Sequence, residues 1–256
     1  MTVNSYLVGR ASSAVLSAAE QTSINTSIGA LQSRLNSYFG NGLTRHFRFG
    51  SSTRGTILPR KMDAGSDIDY MIVFSDGGYT PQTYLNRLKA FVDAYYPSSA
   101  VKQSSPSIVL ELNHIKFDLV PALSNVWGGY QIPNGPNAWQ ATNPNDFNTS
   151  LTAKNTSNHS LIKPTIRLLK YWNAVNGSVY DSFALEKWIV EQHFFFISTQ
   201  RDYLFETFDK LTVPYDVLWR KERVERAKKI IADTRALEAG GLPYSAESEI
   251  KKLIPE

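Results

Sequence analysis

The chain has 256 residues, no cysteine, and 27 Lys+Arg against 23 Asp+Glu, a formal net charge of +4. That length can bury a substantial core. The missing cysteine excludes a disulfide framework and any Cys-based zinc site, and the small positive excess suits phosphate binding without demanding a nucleic-acid partner.

Ser12 to Tyr38 carries Leu16, Ile24, Ile28, Leu31 and Leu35 at near-helical spacing and reads as one long N-terminal spine helix. Leu43 to Phe49 reads as a short strand stopping at Gly50-Ser51, where a helix-like turn begins. Asp67 to Phe74 reads as a buried strand, a helix is expected near Thr80 to Tyr95 after the turn at Gly77-Gly78, and Ile115 to Val120 reads as another hydrophobic strand. Residues 121–145, rich in Pro, Gly and Asn and carrying Trp127 and Trp139, read as a loop. Helices are expected to dominate beyond it, including Leu161 to Trp172, Phe183 to Ile197, Leu218 to Ala239 and Ala246 to Leu253. The fold class expected is α/β (α+β): residues 1–145 as spine helix plus a lobe with a mixed β-sheet, and residues 146–256 as a helical lobe.

The chemistry is concentrated in three segments. Asp67 and Asp69 alternate onto one face of their strand, and Asp118 sits in the other strand with Lys116 two positions before it. Carboxylates in apolar strands are costly unless paired or bound to metal. If the strands pair, three carboxylates converge into the oxygen set that two hard Mg²⁺ ions take, with Mn²⁺ as the alternative. Gly50 lets the chain approach closely, and the Ser51 hydroxyl with free turn amides would cradle phosphate. His46, His114, His159 and His193 are scattered and read as structural. The basic run Arg220 to Lys229 is interleaved with Glu at helical spacing and reads as a solvated helix face, with a groove for a nucleic-acid product or activator as the alternative.

The order Gly50-Ser51-Ser52-Thr53-Arg54-Gly55-Thr56, Ser66-Asp67-Ile68-Asp69, Phe117-Asp118-Leu119-Val120-Pro121 resembles the polymerase-β-like nucleotidyltransferase superfamily. It is most similar there to the branch of bacterial CD-NTases, cyclic GMP-AMP synthase and oligoadenylate synthetases. Tyr130 to Pro133, Trp139, Thr142 to Pro144, Lys163-Pro164, Lys170 to Asn173 and Ser182 to Glu186 extend the likeness over about residues 40–190. The resemblance implies metal binding by Asp67, Asp69 and Asp118 and phosphate binding by Gly50 and Ser51. It also implies triphosphate contacts from Lys170 and Ser182 and base stacking on Phe183. Metal-bound Asp118 would assist deprotonation of the attacking hydroxyl.

The expected function is Mg²⁺-dependent joining of nucleoside triphosphates into a cyclic or linear oligonucleotide signal, sensed by a separate effector in bacterial antiphage defence, with a macromolecular activator as a further partner. Alternatives are untemplated polymerisation, including priming on a tyrosine such as Tyr244, and transfer to tRNA, protein or a small acceptor; a nucleotide-binding module without catalysis ranks last. The segment after Ala239 is short for a cyclising enzyme of this branch. No stretch approaches the roughly 20 apolar residues of a membrane span, and Met1 to Ser5 lacks a basic n-region. The expectation is therefore a cytosolic protein without a membrane partner.

Overall fold

The computed structural model describes residues 2–126, 128–144, 146–213 and 217–256, so Trp127 lies outside the described residues. The chain forms two compact units, one from Ser17–Ile57 and Gly65–Asn148, the other from Met1–Leu16, Leu58–Ala64 and Thr149–Glu256.

The first unit is a seven-stranded mixed sheet. Its elements are α2 (Ala18–Phe39, after α1, Val3–Ser13, of the other unit), β1 (Leu43–Arg48), α3 (Ser51–Arg54), β2 (Asp67–Phe74), α4 (Pro81–Tyr95), β3 (Ala100–Ser104), β4 (Ser107–Glu111), β5 (Lys116–Ser124), β6 (Tyr130–Pro133) and β7 (Trp139–Thr142). The order is β1-β2-β5-β4-β3, with β6 between β5 and β7; β2 and β5 are parallel and the other pairs antiparallel. Strand alternation sorts β2 into two faces. Phe74 on one face meets Phe39 of α2 and Tyr84 of α4. Met71 and Val73 on the other pack with Ala122, Phe47, Phe49, Tyr130 and Ile132. Asp67 and Asp69 share the second face by the same alternation.

β5 runs past Val120 to Ser124. Pro121 has no N–H to donate, and it falls where pairing with β4 has ended at Leu119 and pairing with β6 begins at Leu123. The segment 121–145, expected as a loop, instead holds the β6–β7 hairpin. Tyr130 anchors it on Phe47 and Trp139 on Tyr84, each with ring centroids 5.5 Å apart.

The expected spine helix, Ser12 to Tyr38, is present as α2 but starts only at Ala18. α1 ends at Ser13, and α2 restarts after Ser17, whose hydroxyl accepts from Glu20 N–H while the Glu20 carboxylate accepts from Ser17 N–H. That reciprocal capping box satisfies two amides that an uninterrupted helix would bond internally. The break also coincides with the change of unit, so α1 belongs with the helices and only α2 with the sheet.

The helical unit contains α1, most of α5 (Asp146–Ser157), α6 (Ile162–Val175), α7 (Ser182–Glu191), α8 (Gln200–Lys210), α9 (Leu218–Ala239) and α10 (Pro243–Ile250). α9 has the bounds its periodicity predicts, whereas α10 starts and ends earlier than Ala246 to Leu253. α7 stops at Glu191 and does not reach Ile197: Gln192 turns extended (φ −70°, ψ 148°), and the ammonium groups of Lys154 and Lys210 donate to the carbonyls of Gln192 and His193. Those carbonyls are satisfied without helix. α8, unforeseen, is capped by Thr199, whose side chain accepts from Asp202 N–H. Trp172 of α6 packs edge-on against Phe208 of α8 at the centre of this core.

Candidate active site

The parallel register sets Asp69 directly opposite Asp118 and Asp67 opposite Lys116. All four positions lie on one face of β2 and β5, so this face carries three carboxylates and one ammonium within two residues of each strand's start or middle. Where β1 ends, Phe49 N–H donates to Asp69 O, and Gly50 turns into α3 with φ 72° and ψ −154°. A Cβ on Gly50 would lie 1.8 Å from Asp69 Oδ2 and 3.0 Å from Asp69 Cβ. Only glycine lets the turn pass this close to the carboxylate. The hydroxyls of Ser52 and Thr53 fold back onto the carbonyls of Phe49 and Gly50. Among the described residues the Ser51 hydroxyl makes no hydrogen bond, which leaves it available to a phosphate oxygen.

Asp118 is the electrostatic focus. Ser107 donates a 3.3 Å hydrogen bond to its Oδ2, while Oδ1 is buried without a hydrogen-bond partner. Burial first, and the neighbouring Asp67 second, push its pKa above the usual carboxylate value, against the opposing pull of Lys116 and Ser107. Lys116 Nζ lies 3.2 Å from Asp67 Oδ2, and that carboxylate is the chief influence raising the lysine's pKa against the desolvation that lowers it.

Do these residues fit divalent cations? The donors are hard oxygens, and an orphaned buried carboxylate oxygen beside a second and third carboxylate is a group that a cation would complete. Among the described residues, no three acidic or imidazole side chains already converge as a ready ligand set. Asp67 is engaged by Lys116 instead. The chemistry fits, and binding would exchange the Lys116 contact for a metal contact.

Lys170, Ser182 and Phe183 belong to the helical unit. Lys170 and Ser182 line one cavity of about 370 Å³, together with Asp63 and Tyr180. Lys170 is not a solvent-reaching helix lysine: its Nζ lies 3.0 Å from Glu186 Oε1, with side-chain exposures of 8% and 1%. Phe183 is 46% exposed and is not core, with the Lys187 ammonium 5.9 Å from its ring centroid. Burial pushes the Tyr180 hydroxyl up to about 12, which keeps it a donor, to Thr212 O. Sequence reasoning missed Ser107 and the partner role of Glu186, although Glu186 ends the Ser182-to-Glu186 motif. His46 is structural as expected, bridging Tyr70 and Asn36.

Residues 1–155 match the family described as the Second Messenger Oligonucleotide or Dinucleotide Synthetase domain, SMODS. The chain belongs to this family. A probable cyclic nucleotide synthase of Bacillus cereus (strain VD146) is 26% identical to this SMODS chain over an alignment of 182 residues, with coverage of 56% of this chain and 54% of that protein. The match thus spans about half the length of the curated relative. Two solved structures cover nearly everything: E. coli MS115-1 CdnC in its complex with HORMA-deltaN, with TM-score 0.71, 15% identity and coverage of 97% of this chain and 96% of that one, and the Bradyrhizobium diazoefficiens CD-NTase CdnG in complex with GTP, with TM-score 0.72, 11% identity and 98% of each chain. They show that this SMODS chain has the CD-NTase fold, a mixed sheet with helices, as its sequence leads one to expect.

Proposed function

We propose that the chain joins nucleoside triphosphates into a short cyclic or linear oligonucleotide signal, releasing pyrophosphate, with Asp67, Asp69 and Asp118 as the ligands of two divalent cations. The observation that carries this is the set of three carboxylates on one face of β2 and β5 beside the Gly50–Ser51 turn. Divalent cations held there would offset triphosphate charge and acidify the attacking hydroxyl. Ser51 Oγ, free of other partners, donates to a phosphate oxygen, and Gly50 leaves room for the triphosphate next to Asp69. Asp118 would be placed to take the proton of the attacking hydroxyl once the cations have acidified it. Lys170 and Ser182 contact the triphosphate, and Phe183 stacks on a base. Catalysis by such a site is mainly orientation and electrostatics around in-line attack on the α-phosphorus.

Mg²⁺ or Mn²⁺ as the cation, the antiphage setting, a separate effector and a protein activator are parts of the same proposal; the E. coli neighbour's HORMA complex supports the last. A cytosolic location is proposed with them: among the described residues no helix is long and apolar enough to cross a membrane. The test is incubation with all ribo- and deoxyribonucleoside triphosphates and Mg²⁺ or Mn²⁺, with products read by mass spectrometry before and after phosphatase. A phosphatase-resistant small product supports a cyclic signal, and a ladder supports linear synthesis. Nucleotide attached to tRNA or protein instead, or product persisting in Asp67→Ala/Asp69→Ala, would overturn the assignment.

A further inference from the structure

The last turn of α6, one face of α9 and the segment after α10 enclose a second concavity of the helical unit, about 220 Å³, bounded by Asn176, Arg223, Arg226 and Lys252 over a floor that includes Ala227 and Leu253. Arg223, Arg226, Ala227 and Ile230 recur at helical spacing, so the two guanidinium groups project from the same face of α9. Several neighbouring cations of α9, α10 and the turn after it are paired: Lys229 with Asp233, Arg235 with Asp209, Lys251 with Glu247 and Glu256, Lys252 with Glu249. Among the described residues, Arg220, Arg223, Arg226 and Lys228 of α9 have no such carboxylate, and of these four Arg223 and Arg226 line the concavity.

A structural role for the two arginines would be to cap the negative end of α6. Three of its last four carbonyls are satisfied from within. Trp172 O accepts from Asn176 N–H and from the Asn176 side-chain amide, Ala174 O accepts from Gly177 N–H, and Asn173 O accepts from Ser178 N–H. The guanidinium groups therefore face the concavity without a bond to the helix terminus.

We propose that this concavity is an anion site that binds the phosphate groups of pyrophosphate or of a phosphorylated oligonucleotide end. Two planar guanidinium forks match tetrahedral phosphate oxygens bidentately, while Lys252 at the rim is already paired with Glu249. The volume lies below the roughly 300 Å³ at which pockets begin to enclose a drug-sized ligand, so it admits a phosphate or diphosphate and leaves any nucleoside outside. The basic run of α9 thus has one face with a ligand and other faces in water. The site is independent of the carboxylates and of the proposed catalysis.

The experiment uses the full chain in EDTA, which silences metal-dependent phosphate binding. Arginines are modified with phenylglyoxal and mapped by mass spectrometry, with inorganic pyrophosphate, 5′-triphosphorylated diadenylate or unphosphorylated diadenylate as protectant. Arg223 and Arg226 are expected to be protected by a phosphorylated probe and not by the unphosphorylated one, while Arg235, already paired with Asp209, is unaffected. Protection by pyrophosphate identifies a free anion, and protection by the triphosphorylated dinucleotide alone identifies an oligonucleotide end. Broadening of the phosphorus NMR line of the protecting probe gives the second readout, and R223Q/R226Q should weaken it by about tenfold or more, two charge-assisted bonds being lost. Equal modification with every probe, or broadening unchanged in the double variant, overturns the proposal.

Discussion

Replacing Gly50 by alanine tests how the Gly50–Ser51 turn and the carboxylates are coupled. The new methyl carbon would sit 1.8 Å from Asp69 Oδ2, 2.6 Å from Cγ and 3.0 Å from Cβ. Rotating χ1 moves the first two atoms away, but the third is fixed by the β2 backbone, so the turn or the strand must also shift. The backbone angles, φ 72° and ψ −154°, lie in a region that is essentially glycine's alone, and occupying it with another residue costs about 1–3 kcal/mol. For a chain of this size each kcal/mol lowers Tm by roughly 2–4 °C. The displaced Asp69 carboxylate no longer faces Asp118. Thermal melting should therefore fall by several degrees, and Mn²⁺ affinity, read by electron paramagnetic resonance, should fall with it; pyrophosphate release should drop by about 10² or more, the cost of an ångström-scale misplacement. A Gly50→Ala protein with unchanged melting and unchanged Mn²⁺ affinity would refute the reasoning, because the close approach would then constrain nothing.

Asp118→Asn removes a buried charge that repels Asp67, so the metal-free protein should melt higher at neutral pH while nucleotide joining is lost. The sign follows from the raised pKa: the folded state holds the proton more tightly than the unfolded state, so the penalty is absent below the unfolded carboxylate pKa and grows as pH rises through the folded one. The melting difference between variant and parent, measured in EDTA, should accordingly shrink as the medium is acidified; a constant difference would contradict the electrostatic cause. Glu186→Leu takes a buried carboxylate away from the Lys170 ammonium, which is 8% exposed, and should cost up to about 3–5 kcal/mol in urea unfolding, with Lys170→Met added to it recovering much of the loss. If the single and double variants unfold alike, the pair is not coupled. Ser17→Ala removes the α2 cap and should cost about 1 kcal/mol by the same measurement.

Legibility in the sequence followed how local the physics is. β2 is bounded as its apolar run indicates because one strand of alternating residues announces both its ends and its faces. The Asp69–Asp118 register needs only that this strand pair with its parallel neighbour, so the juxtaposition of the carboxylates was visible before any coordinates. α4 and α9 were likewise readable from turn and period. The break before α2 was written in Ser17-Ala18-Ala19-Glu20, a capping signature overridden by the stronger pattern of Leu16, Ile24 and Leu31. The β6–β7 hairpin depends on Tyr130 finding Phe47 and Trp139 finding Tyr84, partners far away in the chain, against a composition that says loop. The Lys170–Glu186 pair was not legible because Glu186 is brought to Lys170 by packing of α6 against α7, and helical periodicity carries no record of that.

The threading of the chain has a consequence for any attempt to isolate its parts. Passing from Met1–Leu16 to Ser17–Ile57, then Leu58–Ala64, Gly65–Asn148 and Thr149–Glu256, the backbone changes unit four times. Neither unit is a continuous cassette. The family match over residues 1–155 retains Asp67, Asp69 and Asp118, yet a fragment cut there would leave α1 without α6, α8 and α10, against which it packs, and would expose Val3, Tyr6 and Leu7, each buried in the whole protein. Swapping, truncation or splitting between halves is thereby penalised at the level of folding, and the two units are obliged to be made, kept and inherited together.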